Sequence, residues 1–105
     1  MPTIPIDVTV LEVRPTHTGR LVALASVELV VDGFAIGLHG VQVVRQRDPA
    51  TGREATGVDL PRYRGQDGAW RPAITLPEEL RRPVGRAVLE RCVELGIAVY
   101  AADGT

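Results

Sequence analysis

Between Arg62 and Arg71 the chain sets three arginines, Arg62, Arg64 and Arg71, against one acid, Asp67. Tyr63 lies between the first two and Trp70 precedes the third. These residue types together suit single-stranded nucleic acid, since guanidinium groups neutralise phosphates while aromatic faces stack on bases. Downstream, Arg82 and Arg86 stand four residues apart and share one face of any helix that carries them, with Arg81 beside them. From Arg62 to Arg91 there are seven arginines and four acids, whereas the first sixty residues hold five arginines and seven acids. Charge is therefore segregated along the chain. Arg45 and Arg47 follow an apolar run and can extend the basic patch. The competing reading is a solvated loop and helix face, its arginines paired with Glu78, Glu79 and Glu90, Arg86–Glu90 among them.

Catalytic chemistry finds no constellation of its own. His17 falls in a turn cluster and His39 near a strand end, each without a metal-ligand partner at short spacing. His39 reads as a surface or dimer-interface residue, and Cys92 sits on an apolar helical stripe where a thiol behaves as a small hydrophobe. Asp7, Glu12, Asp32 and Asp59 are scattered, and no glycine-rich loop opens a helix in the way phosphate cradling requires. Phe34 reads as a core or interface anchor in preference to a base-stacking residue. No enzymatic activity, cofactor, metal or small-molecule substrate is expected.

The chain has 105 residues, 45% hydrophobic and 24% charged, which is enough for one domain and one core. Its net charge of −1 gives no global basic field, and all twelve cations are arginine. One cysteine excludes a disulfide framework within the chain. The longest apolar stretch, Leu21 to Val27, already contains Ser26 and is far below the roughly 18 residues of a membrane helix. No basic-then-apolar leader opens the sequence, so a cytoplasmic location is expected.

The elements that must hold these residues are written in two periods. Ile6, Val8 and Val10 alternate with Asp7 and Thr9 as in a half-buried strand, and Leu11 and Val13 shift parity, which predicts a bulge or a doubly buried strand end near Leu11. Pro15 to Gly19 reads as a turn, and Arg20 to Val31 as a second strand. Asp32-Gly33 between Val31 and Phe34 predicts a type I′ hairpin. A third strand starts at Phe34, and Gly37 and Gly40 suggest a break near Gly40 before Val41 to Val44. Arg47 to Gly52 is a hairpin loop, Gly57 to Leu60 a short strand, Arg62 to Gly68 an exposed loop, and Trp70 to Leu76 a last short strand. Leu80, Val84, Ala87, Val88, Cys92 and Leu95 form a helical stripe between Pro77 and Gly96, with Pro83 marking its start or a kink.

The expected fold is α+β: a small antiparallel sheet of four to five strands followed by one C-terminal helix, with a core over about 6–96 and a tail, 97–105, of unassigned role. One helix covers only part of a sheet face, so the remaining apolar positions predict a homodimer.

The order of these segments resembles the stage V sporulation protein G family, the bacterial septation regulators. The matching residues are Val13-Arg14, Gly19 to Val27, Asp32-Gly33-Phe34-Ala35-Ile36 and Val41 to Val44. Leu60-Pro61-Arg62 with Asp67-Gly68-Ala69-Trp70, and then Arg82, Val84 and Ala87 to Glu90, complete the match. The resemblance covers roughly residues 6 to 95. It implies a dimeric, site-selective DNA- and RNA-binding regulator of the bacterial cytoplasm, with Arg62 and Arg64 standing where the family has lysine. The stretch from Arg45 to Glu54 is longer than the family's usual turn. The residues expected to meet nucleic acid are Arg62, Tyr63, Arg64, Arg71, Arg82 and Arg86. The alternative is a protein-interaction module that recruits a division or regulatory partner through a sheet edge or face.

Overall fold

The computed structural model describes residues 4–97; the expected tail beyond Ile97 lies outside the described residues. Six strands and one helix follow in order: β1 (Ile6–Thr18), β2 (Leu21–Val31), β3 (Phe34–Arg47), β4 (Glu54–Asp59), β5 (Arg62–Arg64), β6 (Trp70–Pro72) and α1 (Glu78–Glu94). The first four strands form an antiparallel meander in the order β1-β2-β3-β4, and β5 and β6 pair as a separate hairpin. The fold is α+β, as the two periods of the sequence require.

Alternation builds the buried face. Ala23, Ala25, Val27 and Leu29 of β2 and Leu38, Val41 and Val43 of β3 are buried, and α1 lays Val84, Val88 and Cys92 on them. These three recur every fourth residue, so they form one stripe along the helix. Burial pushes the Cys92 thiol above its ordinary pKa, consistent with a packing role.

Two bulges keep that face continuous. Val10 pairs with Val27 and Glu12 with Ser26, so Leu11 is the extra residue. Ile6, Val8 and Val10 before the bulge and Val13 after it all pack on the core. The same device operates in β3. Ala25 pairs with Val41 and Ser26 with His39, leaving Gly40 unpaired at φ +82°. The break expected near Gly40 is therefore a bulge within one strand of 14 residues. A glycine in the left-handed region absorbs the extra residue without ending the ladder.

Other boundaries also differ from expectation. The first turn is shorter: β1 runs through Pro15 and His17 to Thr18, and only Gly19 and Arg20 turn the chain. The β4 strand begins at Glu54, three residues before Gly57, because Glu54, Ala55 and Thr56 continue the pairing with β3. The last strand, expected within Trp70 to Leu76 and limited by Pro72, does end at that proline. Asp32 and Gly33 adopt φ +49° and +83°, the two positive values a type I′ turn demands.

The helix begins at Glu78, so Pro83 is interior to it. Pro83 withholds the one N–H that would meet the Glu79 carbonyl, and Glu79 is an exposed residue, so the loss falls on the solvent side of the helix. Glu78 and Glu79 face the positive end of the helix dipole. At the other end the Gly96 N–H donates to the Val93 carbonyl and the Ile97 N–H to the Cys92 carbonyl, a Schellman closure around Gly96 at φ +77°.

Candidate nucleic-acid interface

The segment expected as an exposed loop after Pro61 is an ordered β-hairpin. Arg62 pairs with Pro72, Tyr63 with Arg71 and Arg64 with Trp70. The Gly65 N–H donates to the Ala69 carbonyl at 2.8 Å, the Gly68 N–H to the Gly65 carbonyl at 2.9 Å, and the Ala69 N–H to Asp67 Oδ1 at 3.1 Å. Sequence reasoning missed the pairing because a three-residue strand is too short to show a period.

Pairing sorts the side chains. Tyr63 and Arg71 lie opposite one another on one face, and Arg64 and Trp70 on the other, by the alternation of a strand. The Arg64 guanidinium stands 5.8 Å from the Trp70 ring centroid, within cation–π range. Trp70 is 60% exposed and Tyr63 50% exposed, so both rings have surface open to solvent. Arg64 Nε donates to the Gly68 carbonyl at 3.2 Å, which fixes the side chain along its own turn.

The arginines differ in how far they are already neutralised. Arg71 Nη2 donates to Asp67 Oδ2 at 2.9 Å, and Gly65 leaves room for this clamp: a Cβ there would lie 2.6 Å from Arg71 Nε. Arg62 stands 3.9 Å from Asp59. On the helix, Glu78 accepts from Arg81 and lies 3.6 Å from Arg82. The Arg81 hydrogen bond holds the Glu78 carboxyl below its ordinary pKa. Arg64 and Arg86 form no ion pair among the described residues, so the Arg86–Glu90 pairing expected from spacing is not made. Of the six residues expected to meet nucleic acid, four lie together on the hairpin, whereas Arg82 and Arg86 lie on the exposed side of α1.

Phe34, expected as a core or interface anchor, is 75% exposed and so lies outside the core. His39 is exposed, its Nδ1 3.3 Å from Ser26 Oγ. No group of three or more His, Cys, Asp or Glu side chains among the described residues could hold a metal ion. No described helix is long and apolar enough to cross a membrane. No family model and no curated protein matches this chain.

Proposed function

We propose that this chain is a nucleic-acid-binding regulator of the stage V sporulation protein G type, acting in the bacterial cytoplasm by occupying a site without chemistry. The observation that carries this reading is the Arg64–Trp70 pair on an exposed hairpin, with Tyr63 open on the opposite face. A strand lying along the Arg64–Trp70 face meets a cation for phosphate and one ring for a base, and Tyr63 offers a second ring on the other face of the hairpin. Arg62 and Arg71 flank the pair, and Arg82 and Arg86 of α1 supply further phosphate contacts.

The test is fluorescence anisotropy with short labelled single- and double-stranded DNA and RNA, at low and at physiological salt. Saturable binding that weakens with salt is expected. In the Arg62→Ala/Arg64→Ala double variant affinity should fall and the slope of log affinity against log salt should flatten by about 0.7 per lost phosphate contact. An unchanged affinity in that variant removes the hairpin as the site.

The protein acts as a homodimer in this reading, joined through the free edge of β3. The β4 strand pairs only with Gln42–Arg47, so no described strand covers the outer edge from Phe34 to Val41. Phe34 to Gly40 contains no charged residue, and Phe34 and Ile36 are exposed on the face that continues into buried Leu38. The opposite edge, β1, carries Asp7, Glu12, Arg14, Pro15 and the Leu11 bulge, the features that discourage strand addition. Two copies of the β3 edge pair antiparallel about a twofold axis. Sedimentation at micromolar concentration should give a dimer that Ile36→Lys converts to a folded monomer. A wild-type monomer would leave the edge to the strand of another protein, the interaction-module reading.

A further inference from the structure

We infer that Arg20, Arg45 and Arg47 form a phosphate-binding site at the end of the sheet away from the β5–β6 hairpin. They line an open groove of about 490 Å³ with Gly19, Gln46 and Glu54. The groove lies where β4 begins, at Glu54, whereas the hairpin follows the other end of β4, at Asp59, roughly 17 Å along the strand.

The fold concentrates positive charge there. The first sixty residues hold five arginines and seven acids, a net deficit by count. Strand register divides them. Asp7, Glu12, Glu28 and Asp32 fall in the half of the sheet that ends at the Asp32-Gly33 turn, with no arginine among them. Arg14, Arg20, Arg45, Arg47 and Arg53 all fall in the opposite half, with three acids, Asp48, Glu54 and Asp59. None of these five arginines forms an ion pair among the described residues, although five of the seven arginines after Pro61 do.

The groove gathers three arginines, none of which is neutralised by an ion pair among the described residues. The Arg45 N–H donates to the Arg20 carbonyl at 2.8 Å, so the two arginines face each other at the end of the β2–β3 ladder. Like charges on neighbouring strands are unfavourable unless an anion joins them. Arg20 Nε donates to the Arg45 carbonyl at 2.9 Å, which fixes its side chain and leaves both terminal nitrogens for a ligand. Arg47 Nη1 donates to the Gly52 carbonyl at 3.0 Å and is fixed likewise. Glu54, paired in register with Arg47, is the one carboxylate lining the groove and lies beyond 4.0 Å of any of these guanidinium nitrogens. Gly19 at φ +59° adds an open wall, with nothing within 4 Å of where a Cβ would stand. Two oriented guanidinium forks and a third arginine, with one unpaired acid among them, suit an oxyanion with several acceptor oxygens, and phosphate is the chemistry they match. The source is a nucleic-acid phosphodiester or a free phosphate compound, and the two are separable by experiment.

The test follows arginine Nε–Hε resonances by NMR during titration with inorganic pyrophosphate, and in parallel binds labelled octathymidylate by anisotropy across a salt series. Saturable shifts at Arg20, Arg45 and Arg47, larger than at Arg62 and Arg64, are expected, and the Arg47 shift should be abolished in Arg20→Gln/Arg45→Gln. Arg47→Gln, which leaves the Arg20–Arg45 bonds intact, should weaken pyrophosphate severalfold and guards against misfolding of the double variant. If the double variant also flattens the octathymidylate salt slope by about 1.4, the ligand is the strand's backbone. A retained slope beside pyrophosphate saturation assigns the groove to a free phosphate compound. Saturation by pyrophosphate with no oligonucleotide binding by the wild type leaves the site standing and removes the nucleic-acid proposal. Absent or uniform, non-saturating shifts across the exposed arginines overturn the site, whatever the hairpin variants do.

Discussion

Replacing Asp67 with asparagine separates the two jobs its carboxyl group does. Oδ1 accepts the Ala69 N–H at 3.1 Å and shapes the hairpin turn, while Oδ2 accepts from Arg71 at 2.9 Å and neutralises it. Asparagine keeps the first acceptor as its amide oxygen and replaces the second with an NH2 donor, which cannot accept from Arg71. The ion pair is about half exposed on both sides, 51% for Arg71 and 58% for Asp67, so its loss should cost stability only about 0–1 kcal/mol. Arg71 is then free to meet a phosphate. One more contact on single-stranded nucleic acid steepens the slope of log affinity against log salt by about 0.7. At 0.1 M salt that is a gain of about fivefold, or about 1 kcal/mol. The assay is anisotropy with a labelled single-stranded oligonucleotide over a salt series, with thermal melting to show the fold intact. An acid-to-amide change on a surface ordinarily gives some gain through net charge, so the control is Asp7→Asn at the far end of β1. Equal gains in both variants, or an unchanged slope in Asp67→Asn, would refute a phosphate role for Arg71.

The remaining predictions concern what holds the site. Gly40→Ala forces a Cβ into the left-handed region at φ +82° and should cost about 1–2 kcal/mol in urea unfolding, with an unchanged midpoint counting against the bulge. Val88→Ala removes two buried carbons from the helix–sheet seam and should cost about 2–3 kcal/mol by the same measurement. A loss below about 0.5 kcal/mol would mean that α1 is not seated there. The Glu78 pKa is lowered in the folded state, so its contribution is present above the ordinary carboxyl range and is lost as pH falls through the folded value. Glu78→Gln should therefore flatten the decline in melting temperature below about pH 4.5, and an unchanged decline would refute the Arg81 hydrogen bond.

Where a signal spans several residues, the fold was legible in advance. The Asp32-Gly33 hairpin rests on a dipeptide whose steric needs match one turn type, and the α1 stripe rests on the recurrence of Val84, Val88 and Cys92. The change of parity at Leu11 was visible and left a bulge or a doubly buried end; the pairing of β1 with β2 makes it the bulge. The change from Leu38 to Val41 is the same signal, but two glycines beside it resembled a stop. What decided for a bulge is that β2 runs unbroken opposite β3, a fact no local window contains. The β5–β6 hairpin escaped for a different reason: its strands are shorter than the period that would announce them.

Charge was the least legible property, because a sequence counts it by stretch whereas a sheet sorts it by register. In the linear reading the first sixty residues are acidic and the basic surface belongs to the segment after Pro61. Antiparallel pairing folds β1, β2 and β3 back on one another, so Asp7, Glu28 and Asp32 gather at one end while Arg20 and Arg45, 25 residues apart, become neighbours at the other. The segment that looked richer in cations also contains the acids that pair with them: Asp67 for Arg71, Glu78 for Arg81 and Arg82, Glu94 for Arg91. A salt series on the groove and hairpin variants thus compares two kinds of arginine. At the groove the phosphate meets cations without competition; at the hairpin, Arg71 must first leave Asp67 and Arg64 brings an aromatic ring with it. If both surfaces engage one strand, the groove should contribute mainly salt-sensitive affinity and the hairpin the part that survives at high salt, since stacking is not screened.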